Sequence, residues 1–300
     1  SDRDVGATPY EDRFGQGFAT IGDVFSERLN PERKKPFDMR QLMRAVVDDD
    51  AGYLERWSIM KDAETAITWE TRVGGHGVGL VGIESRPLAR LGDIPHDGPE
   101  TWSGGTLFPE SSKKVARAIN AWSDRVPVVV LANLSGFDGS PESLRRLQLE
   151  YGAEIGRAVV NFRGPLVFVV VARYHGGAYV VFSKTLNPSL TAFALEGSFA
   201  SVLGGAPAAA VVFPRQVTRE AQEDPRYAEA VSRLENDPSF TQREFDEVYR
   251  AIHAEKQTAL AQRFDNIHNI ERAKQVGSID EIIGVAELRP RIIATIGHGS

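Results

Sequence analysis

The chain has 300 residues, of which 42% are hydrophobic and 25% are charged, and its formal net charge is −6. A chain of this length can bury a sizeable core in one large domain or two small ones. Its basic residues are scattered among acidic ones, its apolar runs are shorter than a membrane span, and it contains no cysteine. These features argue against a nucleic-acid partner, a membrane span, disulfides and cysteine metal sites, and a cytoplasmic location fits them best.

The first 35 residues mix glycine, charge and isolated aromatic residues without a sustained period. We interpret residues 1–35 as a linker or lead-in segment that needs a partner surface to become ordered, and we expect the folded domain over residues 36–300. The N-terminus shows no signal-peptide pattern, and because the chain begins with Ser1 rather than methionine, we expect it to be a piece of a longer protein.

A helix and a β-hairpin follow this segment. Apolar residues at helical spacing predict an amphipathic helix within residues 37–50, with Asp38 as its N-cap. Two loosely alternating runs, 66–73 and 78–85, predict a hairpin because a glycine-rich turn joins them. Residues 86–105 are rich in glycine and proline, which indicates a loop.

Alternating helices and strands form the centre of the chain. A helix over 111–122 precedes the apolar strand 127–133, and a long helix over 141–162, capped by Ser140, leads to a second apolar strand, 165–172. The apolar face of the long helix comprises Leu144, Leu147, Tyr151, Ile155, Ala158 and Val159. Runs that are apolar throughout are typical of parallel strands covered on both faces, so this βαβ unit predicts a parallel sheet with a right-handed crossover.

Both central strands end in glycine-bearing loops. Gly136 and Phe137 follow the first strand, and a polar trio, 173–175, leads from the second strand to the turn 176–178, which opens a helix. Because the carboxyl ends of parallel strands lie at the same edge of a sheet, we expect the two loops to line one cleft.

The turn 176–178 is a candidate catalytic element. Its glycines leave backbone N–H groups unshielded, and the N-terminus of the following helix adds the positive end of its dipole. Such groups can stabilise negative charge that develops on an oxygen atom. The alternative is a tight turn in which the glycines only permit close packing.

The remainder of the chain is predicted to be mostly helical. Residues 191–203 have helix-like spacing, Gly204-Gly205 forms a turn, and residues 208–213 are interpreted as a short apolar strand. The charged run 218–274 is typical of solvated helices. Residues 278–296 predict a short strand, a turn and a closing helix.

The sequence offers few side chains in patterns typical of catalysis or metal binding. Four histidines lie in loops or in the charged helical run without carboxylates at ligand spacing, which favours surface positions: His96, His253, His268 and His298. The cluster 74–77, with its own histidine, has no following helix and is interpreted as the hairpin turn. His175 is the exception because it adjoins the glycine pair, although it could equally fill a hinge. Backbone amides are therefore the leading candidates for chemistry.

Together these strand ends resemble those of the carboxyltransferase domain of biotin-dependent acyl-CoA carboxylases. The residues that carry the resemblance are Pro127-Val-Val-Val-Leu-Ala-Asn133 with Gly136-Phe137, Glu150-Tyr-Gly-Ala153, and Tyr174-His-Gly-Gly-Ala-Tyr179. The likeness extends to Phe37-Asp38-Met39, Gly197 and Gly204-Gly205. It covers most of residues 36–290, and the run 133–137 is most similar to the acetyl-CoA and methylcrotonyl-CoA branches.

The resemblance implies an α/β fold of the crotonase-like type, a spiral of ββα units, of which this chain is the C-terminal half of a carboxyltransferase. It implies transfer of a carboxyl group from carboxybiotin, carried on a separate carrier domain, to an acyl-CoA, with no metal in this domain. The implied partners are the N-terminal carboxyltransferase half, the biotin carboxyl carrier domain and further copies in a homo-oligomer, because the active site forms between halves of two subunits.

The resemblance also implies roles for individual residues. The backbone N–H groups of Gly177 and Ala178, next to Gly176, correspond to an oxyanion hole that polarises the ureido carbonyl of biotin. The residues expected to bind substrate or biotin are Ser135, Gly136, Phe137, Tyr179 and Val180.

Two positions depart from relatives of known type. The eukaryotic-type acetyl-CoA enzymes have an arginine where this chain has Ser135, which puts a carboxylate-binding role there in doubt. The position of Val180 is associated with acyl-chain preference, and the propionyl-CoA branch has an aspartate there. This difference argues against simple equivalence with that branch.

Two other functions remain open from the residues alone. A crotonase-fold hydratase or hydrolase of CoA thioesters would need an acid or base near Gly177, for which Glu196 and His175 are the candidates. A non-catalytic dimerisation module would need neither. Dependence of turnover on biotin separates the three functions.

Overall fold

The structure of the chain is a computed structural model that describes residues 3–96 and 98–297. The chain divides into two compact units. The first unit comprises the described residues up to Val202 and from Asn269 onward, and the second comprises Leu203–His268.

Twelve strands occur among the described residues, all of them in the first unit. In chain order they are β1 Leu54–Glu55, β2 Ala66–Val73, β3 His76–Ile83, β4 Leu88–Ala89, β5 Thr101–Trp102, β6 Thr106–Leu107, β7 Val128–Leu134, β8 Gly136–Phe137, β9 Leu166–His175, β10 Leu190–Leu195, β11 Phe199–Ser201 and β12 Glu281–Ile283.

Helices connect these strands and build the second unit. The α-helices are α1 Ile21–Val24, α2 Met39–Val46, α3 Pro109–Trp122, α4 Pro141–Arg145, α5 Gln148–Asn161, α6 Gly177–Val181, α7 Gly205–Pro207, α8 Pro214–Gln222, α9 Pro225–Asn236, α10 Gln242–Ile267, α11 Ile270–Gln275 and α12 Leu288–Gly297. Short 3-10 helices span Pro31–Arg33 and Val285–Glu287, and a π-helix spans Ala208–Val212.

The main sheet has the strand order β1-β2-β3-β7-β9-β10-β12, and β11 adds to the end of β9. The pairs β1–β2 and β2–β3 are antiparallel, whereas β3–β7, β7–β9, β9–β10, β9–β11 and β10–β12 are parallel. Two small ladders, β4–β5 and β6–β8, complete the strand pairing. The predicted hairpin and parallel βαβ unit are therefore confirmed.

Strand β9 is buried on both faces, as its composition predicts. Its side chains alternate between two apolar cores. Leu166, Phe168 and Val170 face the core with α3 and α5, and Val167, Val169 and Val171 face the core with α2 and α12. The polar trio 173–175 continues the strand instead of ending it, because β11 pairs with these residues in parallel.

The lead-in segment packs onto the second of these cores. Val5, Phe18, Ile21 and Val24 are almost completely buried there, together with apolar residues of α2. The surface that orders this segment is therefore supplied by the same unit. A domain boundary at residue 36 stays a prediction.

The prediction of one continuous helix over residues 141–162 is wrong, because the structure has two helices there. Leu147 has a left-handed backbone with φ 65° and separates α4 from α5. In α4, buried Glu142 accepts two hydrogen bonds from Arg90 at 3.0 and 2.9 Å, whereas α5 packs against α3. The break lets both contacts form, and it leaves Leu144 and Leu147 about half exposed instead of on a buried face.

Two other predictions are wrong. Residues 191–203 form β10 and β11 instead of a helix. Their side chains alternate between two buried faces, so the sequence lacks the alternating polar residues by which a half-exposed strand is recognised. Within the predicted strand 208–213, residues Ala208–Val212 form the π-helix instead. Val211 and Val212 are exposed there, so this apolar run lacks the burial that a central strand requires.

The charged run and the closing segment are as predicted. Helices α8, α9 and α10 form the second unit together with α7 and the π-helix, and Thr241 caps α10 in a capping box with Glu244. Strand β12 and helix α12 close the first unit. Within residues 3–96 and 98–297, no helix is both long and apolar enough to cross a membrane.

The packing of α5 yields a stability prediction. A Cβ built on Gly152 would lie 2.8 Å from Cε2 of Phe137, so Gly152→Ala should lower the free energy of unfolding by about 1–3 kcal/mol through overpacking. Gly139→Ala is the matched control, since a Cβ there meets nothing within 4 Å. Urea unfolding of the three proteins measures the difference. A free energy of unfolding of Gly152→Ala equal to or higher than that of the wild type would contradict this packing.

Candidate active site

The two glycine-bearing loops meet at the carboxyl edge of the sheet, as the sequence predicts. Strands β7 and β9 pair in parallel up to Leu134 opposite Tyr174. Just beyond, a Cβ built on Gly176 would lie 3.4 Å from the Cα of Gly136, so the two backbones are in contact. Gly136 and Gly176 both have positive φ, 136° and 65°, which side chains disfavour. Glycine is therefore needed on both sides of this contact.

A third loop, which the sequence analysis treated only as a connection, extends this row of backbone contacts. The N–H of Gly105 donates to the carbonyl of Glu84 at 2.7 Å, and the carbonyl of Gly105 accepts from the N–H of Ser135 at 2.6 Å. The segment after β11 joins the same row, because the N–H of Gly176 donates to the carbonyl of Val202 at 2.9 Å. The glycine pair at 104–105 before β6 was the available sequence signal.

The backbone N–H groups of Gly177 and Ala178 open α6. Neither donates a hydrogen bond to an acceptor in the described part of the chain, whereas the N–H of Tyr179 bonds to the carbonyl of Gly176 at 3.1 Å. Ala178 is fully buried, and Gly177 is half-buried. Because buried N–H groups almost always have an acceptor, the N–H of Ala178 calls for one from beyond the described residues, and the adjacent N–H of Gly177 can donate to the same acceptor.

The ring of Phe137 holds the start of α6 in place. A Cβ built on Gly177 would lie 2.6 Å from Cδ2 of this ring, and one on Gly152 would lie 2.8 Å from its Cε2. The ring therefore packs directly against the backbones of α5 and α6. This contact explains the glycine in the run 150–153 and makes Phe137 a support for the turn.

His175 is buried beside the turn and is held by β11. Its Nδ1 lies 3.1 Å from Oγ and 3.3 Å from the carbonyl oxygen of Ser201. Only 6% of His175 is exposed. These contacts connect the imidazole to the neighbouring strand and make it a structural element of the sheet edge.

Tyr179 and Tyr174 form an aromatic pair behind the turn. Their ring centroids are 4.9 Å apart, and the hydroxyl of Tyr174 donates to the carbonyl of Tyr179 at 3.2 Å. Burial raises the pKa of Tyr174 above its ordinary value, so this hydroxyl stays protonated. The hydroxyl of Tyr179 is 2.5 Å from Oγ of Ser278. Tyr179 is thus held at its backbone carbonyl and at its side-chain hydroxyl.

Ser135 and Val180 present their side chains to solvent at this edge. Ser135 is exposed, and 57% of Val180 is exposed. The sequence analysis passed over their neighbour Asn133 as a site residue, although it is a polar residue at the end of an apolar strand. Its side chain is 6% exposed, and its buried Oδ1 has no hydrogen-bond partner within the described residues.

Glu196 lies away from the turn. It follows β10, whose last residue paired with β9 is Ala194, opposite Val170. Extending that register places Glu196 level with Ala172, which is three residues, or roughly 10 Å, before β9 ends at His175. Glu196 is exposed, and its carbonyl accepts a hydrogen bond from buried Arg33 at 2.6 Å.

The other histidines add nothing to this site. His76 begins β3, His253 lies in α10, His268 is the C-cap of α10, and His298 lies outside the described residues. Among residues 3–96 and 98–297, no group of three histidine, aspartate or glutamate side chains is arranged to hold a metal ion.

Comparisons with curated proteins identify relatives among the acetyl-CoA carboxylases. The chain is 28% identical over 248 residues to acetyl-CoA carboxylase dmxL1 of Cryptosporiopsis sp. (strain 8999), covering 76% of this chain and 11% of that protein. It is 29% identical over 230 residues to acetyl-CoA carboxylase of Saccharomyces cerevisiae (strain ATCC 204508 / S288c), covering 69% of this chain and 10% of that protein. The chain thus spans about a tenth of the length of these relatives.

Solved structures share the fold. A transcarboxylase 12S structure with methylmalonyl-coenzyme A and methylmalonic acid bound matches with a TM-score of 0.63 at 22% identity, covering 89% of this chain and 42% of that chain. A second, with hydrolysed methylmalonyl-coenzyme A bound, also has a TM-score of 0.63. These matches confirm the crotonase-like α/β fold that the resemblance implied.

A family model supports the same relationship. The model described as "Carboxyl transferase domain" matches residues 19–297. Because this match covers nearly the whole sequence, the chain belongs to the carboxyl transferase domain family.

Proposed function

We propose that this chain is the C-terminal, biotin-side half of a carboxyltransferase that passes a carboxyl group from carboxybiotin to an acyl-CoA. The observation that carries the proposal is the adjacent pair of N–H groups on Gly177 and Ala178, which lack an acceptor in the described residues and lie where three glycine-bearing loops meet. Family membership supplies the reaction class.

The residues at this edge fit a biotin ureido group. When bound, biotin on its carrier domain supplies the carboxyl group, and negative charge develops on its ureido oxygen. Gly176 and Gly177 carry no side chains that would block an oxygen atom from the two N–H donors. Each preorganised donor of this kind contributes about 3 to 4 kcal/mol to stabilising developing charge.

The contacts of the rival acid–base candidates favour this proposal over a hydratase or hydrolase. The imidazole Nδ1 of His175 is already engaged by Ser201, and Glu196 lies level with Ala172, roughly 10 Å before the end of β9. A reaction that relies on backbone donors needs neither side chain. Ser135 supplies no cation for a carboxylate, and exposed Val180 is available to contact an acyl chain or the partner half.

The remaining partners follow from the same proposal. We infer that the acyl-CoA is held mainly by an N-terminal carboxyltransferase half and that a biotin carboxyl carrier domain delivers its cofactor to the edge described above. A homo-oligomer is also proposed, since the related transcarboxylase 12S is described as a hexamer. A cytoplasmic location stays a prediction, because yeast relatives include a mitochondrial acetyl-CoA carboxylase.

Removal of one N–H donor tests the proposal. Ala178 is the second residue of α6, where proline is tolerated sterically but donates no hydrogen bond. In the assembled carboxylase, Ala178→Pro should lower kcat by about 10²- to 10³-fold. Steady-state carboxyl transfer between malonyl-CoA and biotin measures this loss.

Two matched variants complete that experiment. Ala178→Gly keeps the N–H, and His175→Ala removes a buried side chain beside the turn, so both should retain kcat within about tenfold. Gly177→Val is unsuitable because its side chain would collide with Phe137. If His175→Ala abolishes turnover while Ala178→Pro keeps it, with Tm near wild type in both, acid–base catalysis replaces the present proposal.

The isolated chain should be inactive, because the proposed acyl-CoA half is absent from it. We expect no measurable transfer between malonyl-CoA and free biotin by the chain alone, and activity when the N-terminal half is supplied. Rapid turnover by the isolated chain would show that it holds a complete site. Turnover of acyl-CoA without biotin would favour the hydratase.

The same proposal predicts self-association of the isolated chain. The exposed apolar residues are Leu147 at the N-cap of α5 (51%), Leu149 in α5 (75%) and Val180 in α6 (57%), and α5 and α6 pack together. Leu149→Lys should shift the chain toward monomer in light scattering at micromolar concentration. Ile59→Lys, at a side chain that is 87% exposed in the turn after β1, is the control and should leave the mass unchanged. A monomeric wild type would contradict the prediction.

A further inference from the structure

A polar cavity lies in the first unit. Its volume is about 230 Å³, enough for about seven water molecules. The charged residues that line it are Arg40, Glu55, Glu64, Glu84, Arg86 and Lys114. Leu88 and Leu91 add an apolar wall. The sequence analysis drew attention to none of these residues as a site.

The three carboxylates of the cavity are already satisfied. Glu55 accepts hydrogen bonds from Arg40 at 2.5 and 2.7 Å. Glu84 accepts from Arg86 at 2.8 Å and from the N–H of Ser85 at 2.9 Å. Glu64 accepts from Trp102 Nε1 at 2.7 Å and from two backbone N–H groups. These pairs also neutralise the guanidinium groups of Arg40 and Arg86, although the Nε of Arg86 has no hydrogen-bond partner within the described residues.

Lys114 differs from all of these groups. Its side chain is only 2% exposed, and its Nζ makes no hydrogen bond or ion pair within the described residues. Burial lowers the pKa of Lys114 to about 8, although Glu55 and Glu64 act in the opposite direction. Because this ammonium group makes no protein hydrogen bond, its three N–H bonds are left for water or another acceptor inside the cavity.

We propose that this cavity binds a small monocarboxylate, whose carboxylate accepts hydrogen bonds from Lys114 Nζ and whose hydrocarbon part lies against Leu88 and Leu91. A single uncommitted cation matches a single negative charge. A dianion such as phosphate would face three carboxylates without a second available cation and without a use for the apolar wall. The inference is independent of the proposed transferase function, since none of these residues belongs to the turn 176–178.

Calorimetry with sodium butyrate tests the proposal on the chain as it stands, at an ionic strength held constant with sodium chloride. Butyrate should bind, whereas butyramide, its neutral analogue, should not. Lys114→Met should weaken binding at least tenfold. Lys113→Met, which removes the neighbouring lysine that pairs with Glu110, should change the affinity less than twofold.

A pH series on the wild type keeps the test informative if Lys114→Met fails to fold. The groups that face Lys114 are Arg40, Arg86, Glu55, Glu64 and Glu84, and carboxylates and guanidinium groups keep their charge between pH 7 and 9. Only protonated Lys114 attracts the anion, so affinity should fall by up to about tenfold for each pH unit above 8.

Three results would overturn the proposal. The first is no binding of butyrate above the chloride control, which would mean that water alone fills the cavity. The second is an equal affinity at pH 7 and pH 9. The third is tighter binding of inorganic phosphate than of butyrate, which would replace the monocarboxylate by a different class of anion.

Discussion

The parallel pairing of β7 with β9 is the constraint on which the remaining structure depends. Both strands are buried on both faces, so their register is fixed by two apolar cores at once. That register brings Gly136 and Gly176 into contact at the carboxyl edge and leaves the start of α6 directly beside it. A shift of one residue would exchange the two cores and separate the two glycines. Core packing therefore positions the site.

The site itself is built from backbone, and this has a chemical consequence. Backbone N–H groups cannot titrate in the physiological range, and they are held by the helix and strand that contain them, so they need no reorganisation when charge develops. The side chains around them act as supports. Phe137 packs against Gly177, Tyr174 bonds to the carbonyl of Tyr179, and His175 contacts Ser201. This division of roles explains how the proposed transferase half can lack a conspicuous nucleophile or general base.

Buried charge is handled in two ways in the first unit. Arg90 and Glu142 form a paired, almost fully buried bridge that attaches α4 to the loop before β5. Lys114 is buried to a similar degree but has no partner in the described residues. The first arrangement is complete in itself and is structural, because every charge has an opposite charge in contact. The second is incomplete, and this difference is why the cavity around Lys114, rather than the ion pair, points to a ligand.

The sequence by itself determined the elements whose signals are local. The cap of α2 at Asp38, the hairpin β2–β3, the two apolar strands and the glycine turn at 176–178 all follow from short-range patterns, and the motifs on those strands led to the family. Tertiary structure decided the remainder. Residues 191–203 became strands because two cores bury alternate side chains, and the helix over 141–162 broke at Leu147 because Glu142 and α5 are held by different partners. The third loop at Gly105 and the cavity of Lys114 depend on contacts between residues far apart in the chain, which a local pattern cannot record.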